Sequence, residues 1–221
     1  MSNPDNKAKR DDLLRVMEYT QMNYNSMWKR LHRKAHFASF ILVYYSIFLI
    51  IYSLTQIVFA QYYHEALSSY FNIILSIVVL VYSLVNSNAR YDSRIAAIKD
   101  ALDAVKREKR TLTLDMESFD EAKQAYDRII ETTEFREDID FFASVKLLCK
   151  KHKIQWWTVK WKKPADITPD QQRIIDYLNE MNPYYLQCRM ICEILGYAFL
   201  ILIPIVIFAF CILAKVYSWI P

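Results

Sequence analysis

The sequence predicts an all-α membrane protein: a transmembrane helical hairpin with long cytoplasmic helical extensions and a third, C-terminal transmembrane helix. Three observations predict it. Residues 35–63 and 66–89 contain no Asp, Glu, Lys or Arg, and neither do residues 194–214. A hydrocarbon core about 30 Å thick needs roughly 20 helical residues to cross it. Finally, the chain holds a single glycine in 221 residues, which argues against Gly-rich phosphate loops, hairpins and barrels.

Residues 1–6 are expected to fray. From Asp11 the apolar residues Leu13, Met17, Tyr24, Met27 and Leu31, with Thr20 in step, fall at alternating spacings of four and three. That is a heptad seam. No breaker separates it from the first span, residues 36–60, so one helix is expected to enter the membrane. The short link at residues 61–69 has Glu65 as its one formal charge, and the second span covers residues 67–89. Tyr62, Tyr63 and Tyr70 flank the turn, where their rings suit the headgroup boundary. Tyr44, Tyr45, Tyr52 and Tyr82 lie deeper. A deep phenol needs a hydrogen-bond partner, which points them at protein, although bulky filler is an equal reading.

Beyond the second span, Tyr91, Ile95, Ile98, Leu102, Val105 and Leu112 continue a heptad pattern with no Gly or Pro. The spacing predicts that the second helix runs on through residues 90–112, roughly 35 Å at 1.5 Å per residue. Ile95, Ile98, Leu102 and Val105 form a candidate assembly seam, which can pack on the N-terminal helix or on another protomer. Residues 1–112 thus make a core, residues 113–190 a cytoplasmic helical region and residues 191–218 a third span. In the middle region, Ser118 with Glu121 reads as a capping box, and Thr168-Pro169 with Gln171 as a second. Helices are expected from Ser118 to about residue 132, over residues 138–151 and from Thr168 to Pro183. Pro204 should kink the third span.

Orientation follows from the basic residues. Lys29, Arg30, Arg33 and Lys34 precede the first span, Arg90 and Arg94 follow the second, and the turn has none. Cytoplasmic flanks carry the Lys/Arg excess, so the N-terminus is expected inside and the C-terminus outside. The net charge of +4 sits mostly at these flanks, and direct nucleic-acid binding is not expected. Residues 152–163 interleave tryptophan with lysine. Trp156, Trp157, Lys160 and Trp161 form a candidate membrane-surface segment; stacking on single-stranded nucleic acid and packing onto helices are the other readings.

No catalytic constellation is present. His32, His36, His64 and His152 are scattered, and no paired metal or nucleophile motif appears. No enzymatic activity, cofactor or metal is expected. Of the four cysteines, Cys188 and Cys192 lie one turn apart without a nearby histidine and read as ordinary buried thiols. Glu134, Glu137, Asp138 and Asp140 read as a solvated helix start, favoured by the macrodipole over a cation site. Ser39, Ser46 and Ser53 lie seven apart on one face. With Ser76 and Ser83 they form a candidate pore or helix-contact face.

This plan resembles the SLATT domain family of bacterial conflict systems. The likeness is carried by residues 28–34 (Trp-Lys-Arg-Leu-His-Arg-Lys), by residues 42–53 and 74–84 of the spans, and by Arg94 with its heptad helix. Tyr126 and residues 134–141 (Glu-Phe-Arg-Glu-Asp-Ile-Asp-Phe) look like a motif of one subfamily. That motif has Asn-His where Phe135 and Arg136 stand here, so no histidine role carries over. The likeness covers residues 10–150, and the third span and the tryptophan segment lie outside it. The resemblance implies a membrane effector of antiviral defence at the bacterial inner membrane. Such a protein would form a homo-oligomer, permeabilise the bilayer and cause cell suicide. It would accompany an operon partner: a nucleotide second-messenger synthase, a sensor or a reverse transcriptase. A membrane scaffold that recruits a cytoplasmic enzyme is the alternative.

Overall fold

The structure, a computed structural model, describes residues 4–62, 65–114, 118–157 and 168–217, and every element among them is helical. In order these are α1 (Pro4–Val58), a 3-10 turn (Ala60–Tyr62), α2 (Glu65–Asn88), α3 (Tyr91–Thr113), α4 (Phe119–Thr132), α5 (Asp138–Lys151), α6 (Pro169–Glu180) and α7 (Pro183–Tyr217). Segments of α1, α2 and α7 are long and apolar enough to cross a membrane. The architecture is therefore the one read from the sequence.

Local chemistry sets the helix ends. The Ser118 hydroxyl accepts the Glu121 N–H at 3.4 Å while the Glu121 carboxylate accepts the Ser118 N–H at 3.2 Å. Thr168 and Gln171 exchange the same pair of bonds at 3.3 and 3.1 Å, with Pro169 in the first helical position. Asn182 Oδ1 accepts the Tyr185 N–H at 3.3 Å and starts α7.

The expectation of one unbroken helix through residues 67–112 is corrected. α2 stops at Asn88, and Arg90 takes a left-handed φ of 46°. The Ala89 N–H reaches the Val85 carbonyl at 3.1 Å, and the Arg90 N–H reaches that of Ser87 at 3.5 Å. This is a helix end closed by a left-handed residue. Glycine usually takes that position. With arginine there, no breaker marks the sequence, and the periodicity stays in step on both sides.

The contacts divide the chain into two compact units that interleave along it. One combines residues up to 32 with residues 92–190, and the other combines residues 33–91 with those from 191 onward. The N-terminal helix and residues 92–112, assigned from the sequence to the same core as the spans, thus group with residues 113–190.

In the first unit the early half of α1 is central. Its heptad residues Met17, Tyr24, Met27 and Leu31 are buried, as are Ile98, Leu102, Val105 and Leu112 of α3. Arg10 donates to the Leu112 carbonyl and Lys109 pairs with Glu18 at 3.6 Å, so α1 and α3 run antiparallel. α4 joins through a 2.8 Å bond between the Thr20 and Tyr126 hydroxyls. A separate apolar cluster, centred on Phe142, Val145, Ile174 and Leu178, packs α5 and α6 against Tyr19 and Met22.

In the second unit the three apolar segments meet at Ile41, Tyr45 and Leu75, with Phe37, Val79 and Leu200 around them. Many outward residues are large and apolar, Ile57, Leu80 and Phe199 among them, as suits a lipid-facing surface. Two polar features tie the segments together. The Ser53 hydroxyl donates to Asn72 Oδ1 at 3.4 Å, and Asn72 Nδ2 donates to Gln56 Oε1 at 2.9 Å. The other feature answers Pro204. A proline has no N–H, so the carbonyl four residues back loses its helical partner, and the next one is disturbed. Tyr45 donates to the Leu200 carbonyl at 2.9 Å and Tyr44 to that of Ile201 at 3.0 Å. Two of the four deep phenols, Tyr44 and Tyr45, thus donate to carbonyls of protein in the turn before Pro204.

This pairing gives a test. Tyr45→Phe should cost about 1 kcal/mol, within the range of hydrogen bonds measured inside membranes. In a Pro204→Ala background the Leu200 carbonyl regains a backbone donor, so the same change should cost only about 0.3 kcal/mol. Thermal unfolding of the four variants in detergent measures the coupling, and equal costs in both backgrounds would refute it.

Candidate functional site: a clamped segment and its cavity

The α4–α5 connection, residues 133–137, has no regular structure, and it is held at both ends. At its start Glu134 is gripped by Arg94, whose Nε donates at 2.9 Å and whose Nη2 reaches the second oxygen. At its end is the buried Arg30 of α1. Arg30 Nε and Nη2 donate to the two oxygens of Asp140 at 2.7 and 2.9 Å, and Nη1 donates to Glu137 at 2.6 Å. Arg30 is 6% exposed and Asp140 1%. The second Glu137 oxygen accepts from Arg189 at 3.1 Å, and Asp140 also accepts the Glu137 N–H at 3.1 Å. A buried hydroxyl pair, Ser26 and Ser144 at 2.9 Å, continues this polar layer between α1 and α5.

The acidic cluster does open α5, with Asp138 exposed and Glu137 capping it, but Asp140 is buried and paired rather than solvated. Burial disfavours the Arg30 charge, but the bonds and charges of Asp140 and Glu137 outweigh it and raise the guanidinium above its ordinary value. Sequence reasoning took Arg30 as a flank charge and missed its partner 110 residues away. A buried face on α1 made of Asn23, Ser26 and Arg30 leaves no apolar period to find.

Between the two grips, Phe135 and Arg136 line a cavity of about 340 Å³ with Tyr19, Asn23, Tyr126 and Tyr177. Phe135 is 86% exposed. The Arg136 guanidinium lies 3.9 Å from the centre of the Phe141 ring. Burial pushes its pKa down, with the charges of Asp138 and Asp140 acting against that. Tyr126 is pushed up by burial, while its bond to Thr20 pulls it back. The Asn23 Oδ1 is buried, with no hydrogen-bond partner among the described residues.

The other sequence-derived candidates fall as follows. Ile98, Leu102 and Val105 are buried within a single copy and Ile95 is half-buried, so this seam is spent on the intramolecular core. In the membrane face, Ser39 and Ser76 are exposed, and Ser46, Ser53 and Ser83 are half-buried. Ser46 and Ser76 donate to the carbonyls of Leu42 and Asn72 one turn back, both at 2.8 Å. Trp156 packs edge-on against Phe142 at 5.5 Å and belongs to the apolar cluster. Trp157 is exposed, and its carbonyl accepts from Tyr184 at 2.6 Å. Lys160 and Trp161 lie outside the described residues.

Fold and site together define an α-helical membrane protein with a second compact helical unit in addition to the one that holds the apolar spans. Residues 6–211 match the model of the SMODS and SLOG-associating 2TM effector domain, family 5 of that series, and the chain belongs to this family. The match extends well past the residues 10–150 on which the resemblance rested. It takes in the tryptophan segment and most of the third apolar helix. The family's name counts two membrane helices, and this chain has three of sufficient length. No curated protein and no solved structure matches the sequence.

Removing one partner of a buried ion pair leaves an uncompensated charge and typically costs about 3–5 kcal/mol. Asp140→Ala should therefore destabilise the first unit by about that much. Arg30→Met combined with Asp140→Leu should recover most of it. Thermal unfolding followed by circular dichroism reads both, and an Asp140→Ala variant that melts with the parent would contradict the clamp.

Proposed function

We propose that this protein is a membrane-embedded effector of a bacterial antiviral defence system. On activation, copies associate in the inner membrane, permeabilise it and halt the infected cell. The observation that carries this reading is the family match, whose name describes an effector domain, over nearly the whole chain. The three apolar helices with outward apolar side chains support the bilayer as its site of action. Association is assigned to the membrane segments, where Ser39 and Ser76 present small polar side chains outward. The α3 seam is the weaker choice, because it is already covered within one copy. The family name pairs the domain with SMODS and SLOG proteins, and the trigger is assigned to such an operon partner. Action is through assembly rather than catalysis. The scaffold reading draws on the folded unit outside the membrane segments, and it predicts no conductance.

Induced expression together with the activating partner should collapse the membrane potential within minutes, read with a potential-sensitive dye. A normal potential in cells that make the protein and its active partner would refute permeabilisation.

The proposed orientation has its own test. Ser68 is buried and makes a poor reporter, whereas Tyr70 is exposed. A cysteine placed by Tyr70→Cys should react with an impermeant maleimide in intact spheroplasts. The native Cys188, which like Cys192 is exposed rather than buried as the sequence suggested, should react only after lysis. Cys149 is uninformative here, because burial pushes its thiol up to about 11. Even in lysed membranes at pH 8 it should label at least tenfold more slowly than Cys188, given how little thiolate it holds. Labelling of Cys188 from outside would reverse the orientation.

A further inference from the structure

The cavity beside the clamped segment has aromatic walls and an acidic edge. Tyr19, Tyr126, Ile130, Phe141 and Tyr177 line it, and at about 340 Å³ it has room for one large side chain. Phe135 also lines it and is 86% exposed. A ring held in water by a segment pinned at both ends is already ordered, so covering it costs little further entropy. Residues 118–140 carry eight Asp or Glu against three Lys or Arg, although the net charge of the chain is +4. Glu134, Glu137 and Asp140 are held by arginines of this chain, whereas Asp127, Glu131 and Asp138 are exposed. Asp127 and Glu131 stand one turn apart on α4. The charge of Asp127 acts on Tyr126 and that of Asp138 on Arg136, both of which line the cavity. Two cationic side chains at this edge are engaged within the chain: Arg94 by Glu134, and Arg136 over the Phe141 ring among the charges of Asp138 and Asp140.

This charge pattern selects the occupant. An acidic edge repels phosphates, and so disfavours nucleic acid and anionic lipid. It attracts a basic segment and orients its approach. Large aromatic anchors seated in a pocket carry most of the energy of such contacts. We infer that the cavity and Phe135 form a docking site for a partner polypeptide, through a segment with one aromatic side chain flanked by Lys or Arg. The aromatic anchor enters among the tyrosines and covers Phe135, and the flanking cations face Asp127, Glu131 and Asp138. The inference is independent of permeabilisation, since binding is measured on purified protein whether or not a pore forms.

The test uses the full chain in micelles of a neutral detergent and isothermal titration calorimetry with the peptide Lys-Lys-Trp-Lys-Lys, with protein-free micelles as the blank. Saturable binding is expected, weakening as salt is raised. The peptides Lys-Lys-Ala-Lys-Lys and Glu-Glu-Trp-Glu-Glu should each bind at least tenfold more weakly. Phe135→Ala changes an exposed side chain, so it should leave the melting temperature unchanged while weakening the tryptophan peptide at least tenfold. Asp127→Asn combined with Glu131→Gln should weaken it to a similar extent and flatten the salt dependence. The inference is overturned if the folded parent does not bind the tryptophan peptide saturably, if Phe135→Ala binds it as the parent does, or if the alanine peptide binds equally well. Self-association of the purified chain that Phe135→Ala abolishes would make a second copy the occupant and would overturn it too.

Discussion

Burying the Arg30 guanidinium is tolerable only because three of its nitrogens reach carboxylate oxygens. Those oxygens belong to Asp140 and Glu137, at the opening of α5, so one side chain of α1 fixes where α5 begins. The consequences spread from there. α5 carries Phe142, Val145 and Leu148 into the cluster that α6 completes. The segment ahead of α5 is drawn taut between Arg30 and Arg94, and Phe135 and Arg136 are presented at its middle. An apolar pair at positions 30 and 140 can be as stable, whereas removing one partner alone leaves a buried charge unpaired.

The membrane-segment unit meets a related constraint by other means. Inside a bilayer, a carbonyl that Pro204 deprives of its donor has no water to turn to. From α1 the Tyr45 phenol supplies the donor missing at Leu200, and the Tyr44 phenol donates to the next carbonyl, that of Ile201. Small polar contacts at Ser53, Gln56 and Asn72 join the first two spans, so specificity in this unit comes from a few hydrogen bonds set in apolar surface. In both units, then, a few polar contacts between helices accompany the apolar clusters that make them neighbours.

Much of this was legible in the sequence for reasons that are local. Charge-free runs announce the spans, and the Ser118–Glu121 and Thr168–Gln171 boxes announce their helices, because each signal lies within a few residues. The heptad face through Met17, Tyr24, Met27 and Leu31 was equally plain. Two kinds of feature were not. The left-handed Arg90 ends α2 with a residue that carries no breaker signal. The polar face of α1, with Asn23, Ser26 and Arg30, looks solvated until its partners at Ser144 and Asp140, more than a hundred residues away, are placed against it. The cavity followed the same logic: Phe135 and Arg136 read as departures from a family motif, and only the fold brings them beside Asn23.

The central claim is that Arg30 holds the start of α5 and the segment before it. Hydrogen–deuterium exchange on the full chain in micelles tests it most directly, comparing the parent with Arg30→Met. Amides of residues 134–141 should exchange at least tenfold faster in the variant, while those of α2 keep their protection. If residues 134–141 exchange as slowly without the guanidinium as with it, the clamp does not organise this unit.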